Sequence, residues 1–248
     1  MKFTLEAYAM LLRKLLERGY VFKNYKNWKE AEKTVILRHD IDSSLKKAVE
    51  LSQIENQIRE VGATYFVLLS TNFYNVHSRE SKECIRRIMK NGGSIGLHFD
   101  ETQYSISDET EMRKYIYKEV EVLSDIVGAK VDVVSMHRPS REFLTANMQF
   151  TGIINSYNKV YFKEMKYLSD SRRCWRENVE EIIEQSAYRR LHILTHPFWY
   201  MERVEIDLRR TLKSAILNAS LEYYDNLNKN FQNLQSEIER IEIERIVH

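Results

Sequence analysis

Cysteine, proline and glycine are all scarce in this 248-residue chain, which holds two, two and seven of them. Cys84 and Cys174 stand in no CxxC or finger-like spacing, which excludes a disulfide framework and a cysteine-based structural zinc site and fits reduced thiols. Glycine and proline fall below their usual shares of roughly 7% and 5%. Both prolines directly follow polar motifs, in His137-Arg138-Pro139 and His196-Pro197, so rigid backbone stands beside potential chemistry. An excess of charge of one sign is also missing. Lys plus Arg number 38 against 36 for Asp plus Glu, and a net charge of +2 gives no electrostatic case for nucleic acid as a partner. Long hydrophobic runs are absent too. Glu6, Arg13 and Lys14 interrupt the apolar residues of the N-terminus, and no later stretch reaches the length of a membrane span. The chain therefore reads as an unexported, cytoplasmic protein without a transmembrane segment.

What is present is concentrated at Ile36-Leu37-Arg38-His39-Asp40-Ile41-Asp42, where an apolar run stops at a base, an imidazole and two carboxylates. In extended backbone Asp40 and Asp42 share one side and His39 and Ile41 the other. Two carboxylates on one side suit a cation, although a charged loop capping the helix near Leu45 also accounts for them. Around this stretch the pattern alternates. Helical spacing covers residues 4 to 18 (Leu5, Tyr8, Leu11, Leu12, Leu15), 45 to 60, 79 to 90, 108 to 126 and 176 to 186. Strand-like runs cover 34 to 39, 63 to 69, 94 to 97, 131 to 135 and 191 to 195, with weaker ones near 153 and 167. Repeated βα units predict a parallel sheet, open or closed.

Residues 1–202 form one expected domain and 203–248 a helical extension. In the extension Leu217, Leu221, Tyr224, Leu227, Phe231, Leu234, Ile238 and Ile241 recur at three- and four-residue spacing. As one long helix or two, it either packs on the first domain or forms a homo-oligomer through this stripe.

The strand-like runs end in His or Asp: Asp40 and Asp42, His98 with Asp100, His137, Asp170 and His196. A parallel α/β fold gathers the carboxyl ends of its strands on one face, so these scattered positions converge there. Imidazole and carboxylate together suit zinc or a similar divalent ion, and the set points to metal-assisted hydrolysis.

Leu-Arg-His-Asp-Ile-Asp at 37 to 42, Ser-Ile-Gly-Leu-His-Phe-Asp at 94 to 100, His-Arg-Pro-Ser at 137 to 140, Leu-Ser-Asp-Ser at 168 to 171 and Leu-Thr-His-Pro at 194 to 197 together resemble the ordered motifs of polysaccharide deacetylases of the NodB-homology superfamily. The nearest pattern is the atypical Arg-His-Asp-Val-Asp branch linked to surface-polysaccharide synthesis. The resemblance spans roughly residues 1 to 200. It implies a distorted (β/α) barrel of about seven strands and removal of an N-acetyl group from an amino sugar with a divalent metal, zinc or a similar ion. It also implies roles: Asp40 as catalytic base, Asp42 and His98 as metal ligands, and His196 as general acid with Asp170 set against it. Position 102 is Thr where that family has a second histidine. His137, standing where the family's third motif has arginine, is the candidate replacement ligand, with Asp100 the alternative. Arg138 is expected to contact substrate or orient Asp40. Trp199, with Phe198, Tyr200 and Tyr74, is placed to stack on a sugar ring or to pack in the barrel rim.

The expected substrate is a nucleotide- or lipid-linked amino sugar, or an oligosaccharide. Two other readings remain at this stage: a non-catalytic sugar-binding or assembly protein on the same fold, and a hydrolase of non-sugar amides.

Overall fold

Strands covered on both faces read as continuous apolar runs, and here they form a wholly parallel sheet. The computed structural model describes residues 1–202 and 207–247. Its strands are β1 (Val21–Phe22), β2 (Thr34–Ile41), β3 (Ala63–Leu68), β4 (Ser94–Phe99), β5 (Val133–Met136), β6 (Ile154–Asn155), β7 (Lys166–Ser169) and β8 (Arg190–Thr195). Seven run in the order β6-β5-β4-β3-β2-β8-β7, and the two-residue β1 pairs with the start of β2. The sheet curls into a half-barrel with helices around it, the distorted (β/α) barrel that the motifs imply.

The helices of this unit are α1 (Leu5–Glu17), α2 (Leu45–Ile58), α3 (Arg79–Lys90), α4 (Glu109–Val127), α5 (Arg141–Ala146), α6 (Val160–Lys163) and α7 (Val179–Gln185). Side-chain caps start the longer ones: Thr4, Ser44, Ser78 and Asp108 each accept a hydrogen bond from a backbone N–H three residues on. The period-two alternation of β2 separates two cores. Val35, Leu37 and Ile41 join the helix-side core with Tyr8, Leu12 and Leu15. Ile36 joins Tyr25, Trp28, Phe66, Val133, Tyr161 and Met165 in a second cluster. Gly96 of β4 is required by packing, because a Cβ there would lie 2.6 Å from the Phe66 ring and 3.2 Å from the Val133 carbonyl oxygen.

The chain divides into two compact units, Met1–Arg203 and Val204–His248. In the second, α8 (Leu208–Asn228), α9 (Leu234–Glu237) and α10 (Arg240–Val247) replace the one or two helices expected. The start of that expected run, at 203–206, lies outside the described residues. Helix α10 packs against α8, and the Tyr224 hydroxyl donates to the Ile238 carbonyl at 2.8 Å. Part of the apolar stripe is thus used inside this unit. No described helix is long and apolar enough to cross a membrane.

Candidate metal centre

The largest fully buried side chain among the described residues is Arg38. Its side chain is fully buried, donating to the Asp40 carboxylate (2.7 Å), Ser135 Oγ (2.8 Å) and Ser156 Oγ (3.0 Å). The Phe66 and Tyr157 rings lie over the guanidinium at 5.3 and 5.2 Å. Burial disfavours the Arg38 charge most, but the Asp40 carboxylate together with Tyr25, Tyr157 and Tyr167 nearby outweighs it and raises its pKa well above the usual value. Asp40 is therefore oriented by Arg38 rather than by Arg138, which corrects one of the two roles expected for Arg138. Only Oδ2 of Asp40 is held this way. Its Oδ1 is buried without a hydrogen-bond partner.

One turn of chain further, three donors meet. Asp42 Oδ1 lies 3.3 Å from His98 Nε2 and 3.3 Å from His137 Nδ1, and the two imidazole nitrogens are 3.3 Å apart. Each arrives from a strand end: Asp42 just after β2, His98 in the last turn of the pleat of β4, His137 just after β5. His137 is fixed by its backbone N–H, which donates to the Phe99 carbonyl at 2.7 Å. Burial raises the Asp42 carboxyl, but the His137 and His98 imidazoles beside it lower it further, leaving it well below the usual carboxylate range.

These separations fit a metal. Zinc with nitrogen and oxygen donors at about 2.0–2.1 Å in tetrahedral geometry sets its donors about 3.3 Å from one another. Asp42 Oδ1, buried and without a well-formed hydrogen bond, is the kind of atom such an ion satisfies. Asp42, His98 and His137 are the one group of this kind among the described residues.

Asp100 is engaged elsewhere. It accepts from the Thr102 N–H (3.1 Å), the Thr102 hydroxyl (2.7 Å) and Gln103 Nε2 (3.1 Å), capping the single turn Glu101–Gln103. Thr102, standing where a second histidine is expected, is thus part of the loop's own bonding.

On the other side of Asp42, His196 Nε2 approaches Oδ2 at 4.0 Å. Its Nδ1 bonds to Asp170 at 2.6 Å, and the His196 backbone N–H also donates to that carboxylate, at 3.0 Å. Burial alone lowers the His196 imidazole, but Asp170, with Asp40 and Asp42 nearby, raises it to about 9. Asp170 is fully buried and takes a further hydrogen bond from the Tyr200 hydroxyl at 3.0 Å.

Sequence reasoning missed Arg38 and Tyr200 as parts of this assembly. Their signals were position alone, two residues before Asp40 and four after His196. Trp199 packs on Phe198 and against the helix-side core and is not among the residues lining the cleft described next. Tyr74 does line it, and its hydroxyl donates to the Ile41 carbonyl while accepting from the Leu68 N–H, tying the ends of β2 and β3 beside Asp42.

His39 faces away, as alternation requires. It bonds to Glu55 at 2.8 Å and to Thr195 Oγ1 at 2.6 Å, and the buried Glu55 also accepts from Tyr8 and Tyr65. This network fixes the strand end that carries His196.

A cleft of about 710 Å³ opens over two of the three donors, Asp42 and His137, and is lined also by Asp100, Arg138 and residues 68–75. No protein-family model matches the chain, and no curated protein does. Among solved structures it is similar to a CE4 family pseudoenzyme from Bacillus anthracis (13% identity, TM-score 0.44, 73% of this chain and 59% of that one). It is similar also to the Streptococcus pyogenes deacetylase PplD in complex with acetate (13%, TM-score 0.46, 77% and 80%). A polysaccharide deacetylase from Bacillus cereus is matched at 15% identity and a TM-score of 0.41, over 66% of this chain and 79% of that one. The chain thus spans less than two thirds of the Bacillus anthracis chain.

Proposed function

We propose that this chain is a metal-dependent hydrolase that removes an N-acyl group, in the first place N-acetyl, from an amino sugar of surface-polysaccharide metabolism. The observation that supports it is the convergence of Asp42, His98 and His137 at mutual distances of 3.3 Å, with Asp40 Oδ2 3.8 Å from His98 Nε2 and His196, bonded to Asp170, 4.0 Å from Asp42 Oδ2. Three donors remain together although position 102 is Thr, so that departure from the motif pattern is no argument for a lost metal. Asp42, His98 and His137 would hold a divalent ion, zinc by the donor set, which when bound would supply Lewis acidity for the amide carbonyl and for a water.

The chain's own groups divide the proton work. Asp40, held at Oδ2 by Arg38, has Oδ1 free to take a proton from the attacking water. His196 is protonated at neutral pH because its pKa is raised to about 9, and it donates from Nε2 to the departing amine. Asp170, which accepts from the Tyr200 hydroxyl, holds the ring with Nδ1 engaged, so Nε2 is the atom presented to the site.

The test is acetate release from N-acetylated amino sugars by the metal-loaded protein. Asp40→Asn and His196→Ala are each expected to lower turnover by ~10²–10⁴, the usual contribution of a general base or acid. An active wild type whose Asp40→Asn variant keeps near-normal turnover at full metal occupancy would sink the assignment of the base.

A further inference from the structure

Of the aromatic residues expected to meet a sugar, Trp199 lies outside the cleft lining, and Tyr74 is held by its hydroxyl between Ile41 and Leu68. Phe73 is placed differently. It lines the same cleft as Asp42 and His137, and at 69% it is the most exposed large apolar residue among those described. Its ring meets no other ring or cation among the described residues. Single apolar side chains on a surface need no explanation, but this one stands in the wall of the cleft that opens over two of the metal donors.

The loop that carries it is tied down on both sides. The Phe73 backbone N–H donates to Thr71 Oγ1 at 3.2 Å, and the next residue, Tyr74, is anchored as described. Asn75 Oδ1 then accepts from the His77 N–H at 3.0 Å, and the Asn75 carbonyl accepts from the Ser78 N–H at 3.0 Å, where α3 begins. Ordering of this segment is thus met before any ligand arrives, while the ring itself is left to solvent.

The polar groups beside Phe73 narrow the ligand. Ser70 and Asn72 line the cleft and make no side-chain hydrogen bond among the described residues, and Gln103 bonds to Asp100 through Nε2, keeping Oε1. These are neutral groups that donate and accept in defined directions. The lining sets the carboxylates of Asp42 and Asp100 against the single guanidinium of Arg138, so it holds no cationic surplus for an anionic ligand. A pyranose has both matching surfaces, hydroxyls at its edge and a face of C–H groups that lies flat on an aromatic ring.

We infer that Phe73 is the residue on which this cleft stacks a sugar ring, with Ser70 and Asn72 taking hydroxyls at the ring's edge. This rests on the amino-sugar reading above and adds to it a specificity-determining residue outside the recognised motifs. The stacked ring is either the amino sugar that reacts or the sugar joined to it, and the contact is the same in both.

The experiment is a calorimetric titration of the whole zinc-loaded chain with N-acetylglucosamine and its β-1,4- and β-1,6-linked dimers, for wild type, Phe73→Ala and Phe73→Trp. Circular dichroism and metal content confirm that each variant is folded and loaded. Phe73→Ala is expected to weaken binding about two- to ten-fold, the range one aromatic contact supplies, and Phe73→Trp to restore it. In acetate release the loss falls on KM rather than kcat, as removal of binding shared by ground and transition states requires. Loss with the monosaccharide as well puts the reacting sugar on the ring, and loss confined to the dimers puts the adjoining sugar there; either supports the inference.

Wild-type affinity for all three sugars in Phe73→Ala overturns it, as does wild-type protein that binds none of them. A loss that Phe73→Trp fails to restore overturns it too, because the residue then acts through the loop and not through its ring. So does tighter binding of UDP-N-acetylglucosamine that Phe73→Ala abolishes while the neutral sugars are unaffected, which puts a base on the ring. The hydrolase reading fails separately. Phe73-dependent sugar binding without acetate release contradicts hydrolysis and leaves the stacking standing, whereas acetate release with a KM unchanged in Phe73→Ala does the reverse.

Discussion

Arg38 shows how a single residue organises the chemistry above it. A buried guanidinium is costly to desolvate, and here Asp40, Ser135, Ser156 and two aromatic rings answer it. Removing one partner of a buried pair leaves the other charge uncompensated, which typically costs about 3–5 kcal/mol. Arg38→Met should therefore lower stability by about that amount in chemical denaturation. The double variant Arg38→Met/Asp40→Leu should recover much of the loss, since the unpaired carboxylate is then gone. A change within about 0.5 kcal/mol for the single variant would show that Asp40 takes its stabilisation from elsewhere. The motif displayed Arg38 plainly in the sequence, but its role was not legible there. Its serine partners lie 97 and 118 residues away, on β5 and just after β6, and only closure of the sheet brings them together. Tyr200 was hidden for the same reason, as its bond to Asp170 spans 30 residues.

At the scale of elements, legibility followed burial. Strands β2, β3 and β8 are covered on both faces and read as apolar runs, whereas β1 has only two residues and carries no periodicity of its own. The short helices α5 and α6 were unread, being one or two turns long. In the second unit no glycine or proline marked the break after α8. It falls at an asparagine-rich stretch, where Asn233 adopts left-handed backbone at φ 63° and Asn230 bonds back to the Asn226 carbonyl. Helix α4 carries a different surprise, the buried acid Glu119, which accepts from Tyr104 at 2.5 Å. Burial raises its pKa to about 7, against the lowering effect of the Tyr104 hydrogen bond.

The consequence for stability has a definite sign. Unfolded chain ionises this group near pH 4.5 while the folded protein still holds the proton, so stability falls as pH rises from about 4.5 to 7 and then levels off. The loss is on the order of 3 kcal/mol. Glu119→Gln, which stays neutral, should match wild type at pH 4 and exceed it at pH 8 in denaturant titrations. Superimposable pH profiles for the two proteins would contradict a raised Glu119.

For the molecule as a whole, the strand-end rule made the site readable before its geometry was known. Positions from Asp40 to His196 were grouped because parallel strands deliver their carboxyl ends to one face. The rule could rank neither His137 against Asp100 nor Asp40 against Asp42. Those distinctions depend on which oxygen or nitrogen is already hydrogen-bonded, as both Asp100 oxygens are to Thr102 and Gln103. The central claim, that Asp42, His98 and His137 hold a divalent ion, is tested most directly by titrating the chelator-stripped chain with zinc in a calorimeter. One ion per chain is expected. His137→Ala should weaken its binding by more than the ~10–100-fold that loss of an outer partner costs, while Asp100→Asn leaves it near wild type. Less than a stoichiometric ion, or unchanged affinity in His137→Ala, would contradict the account.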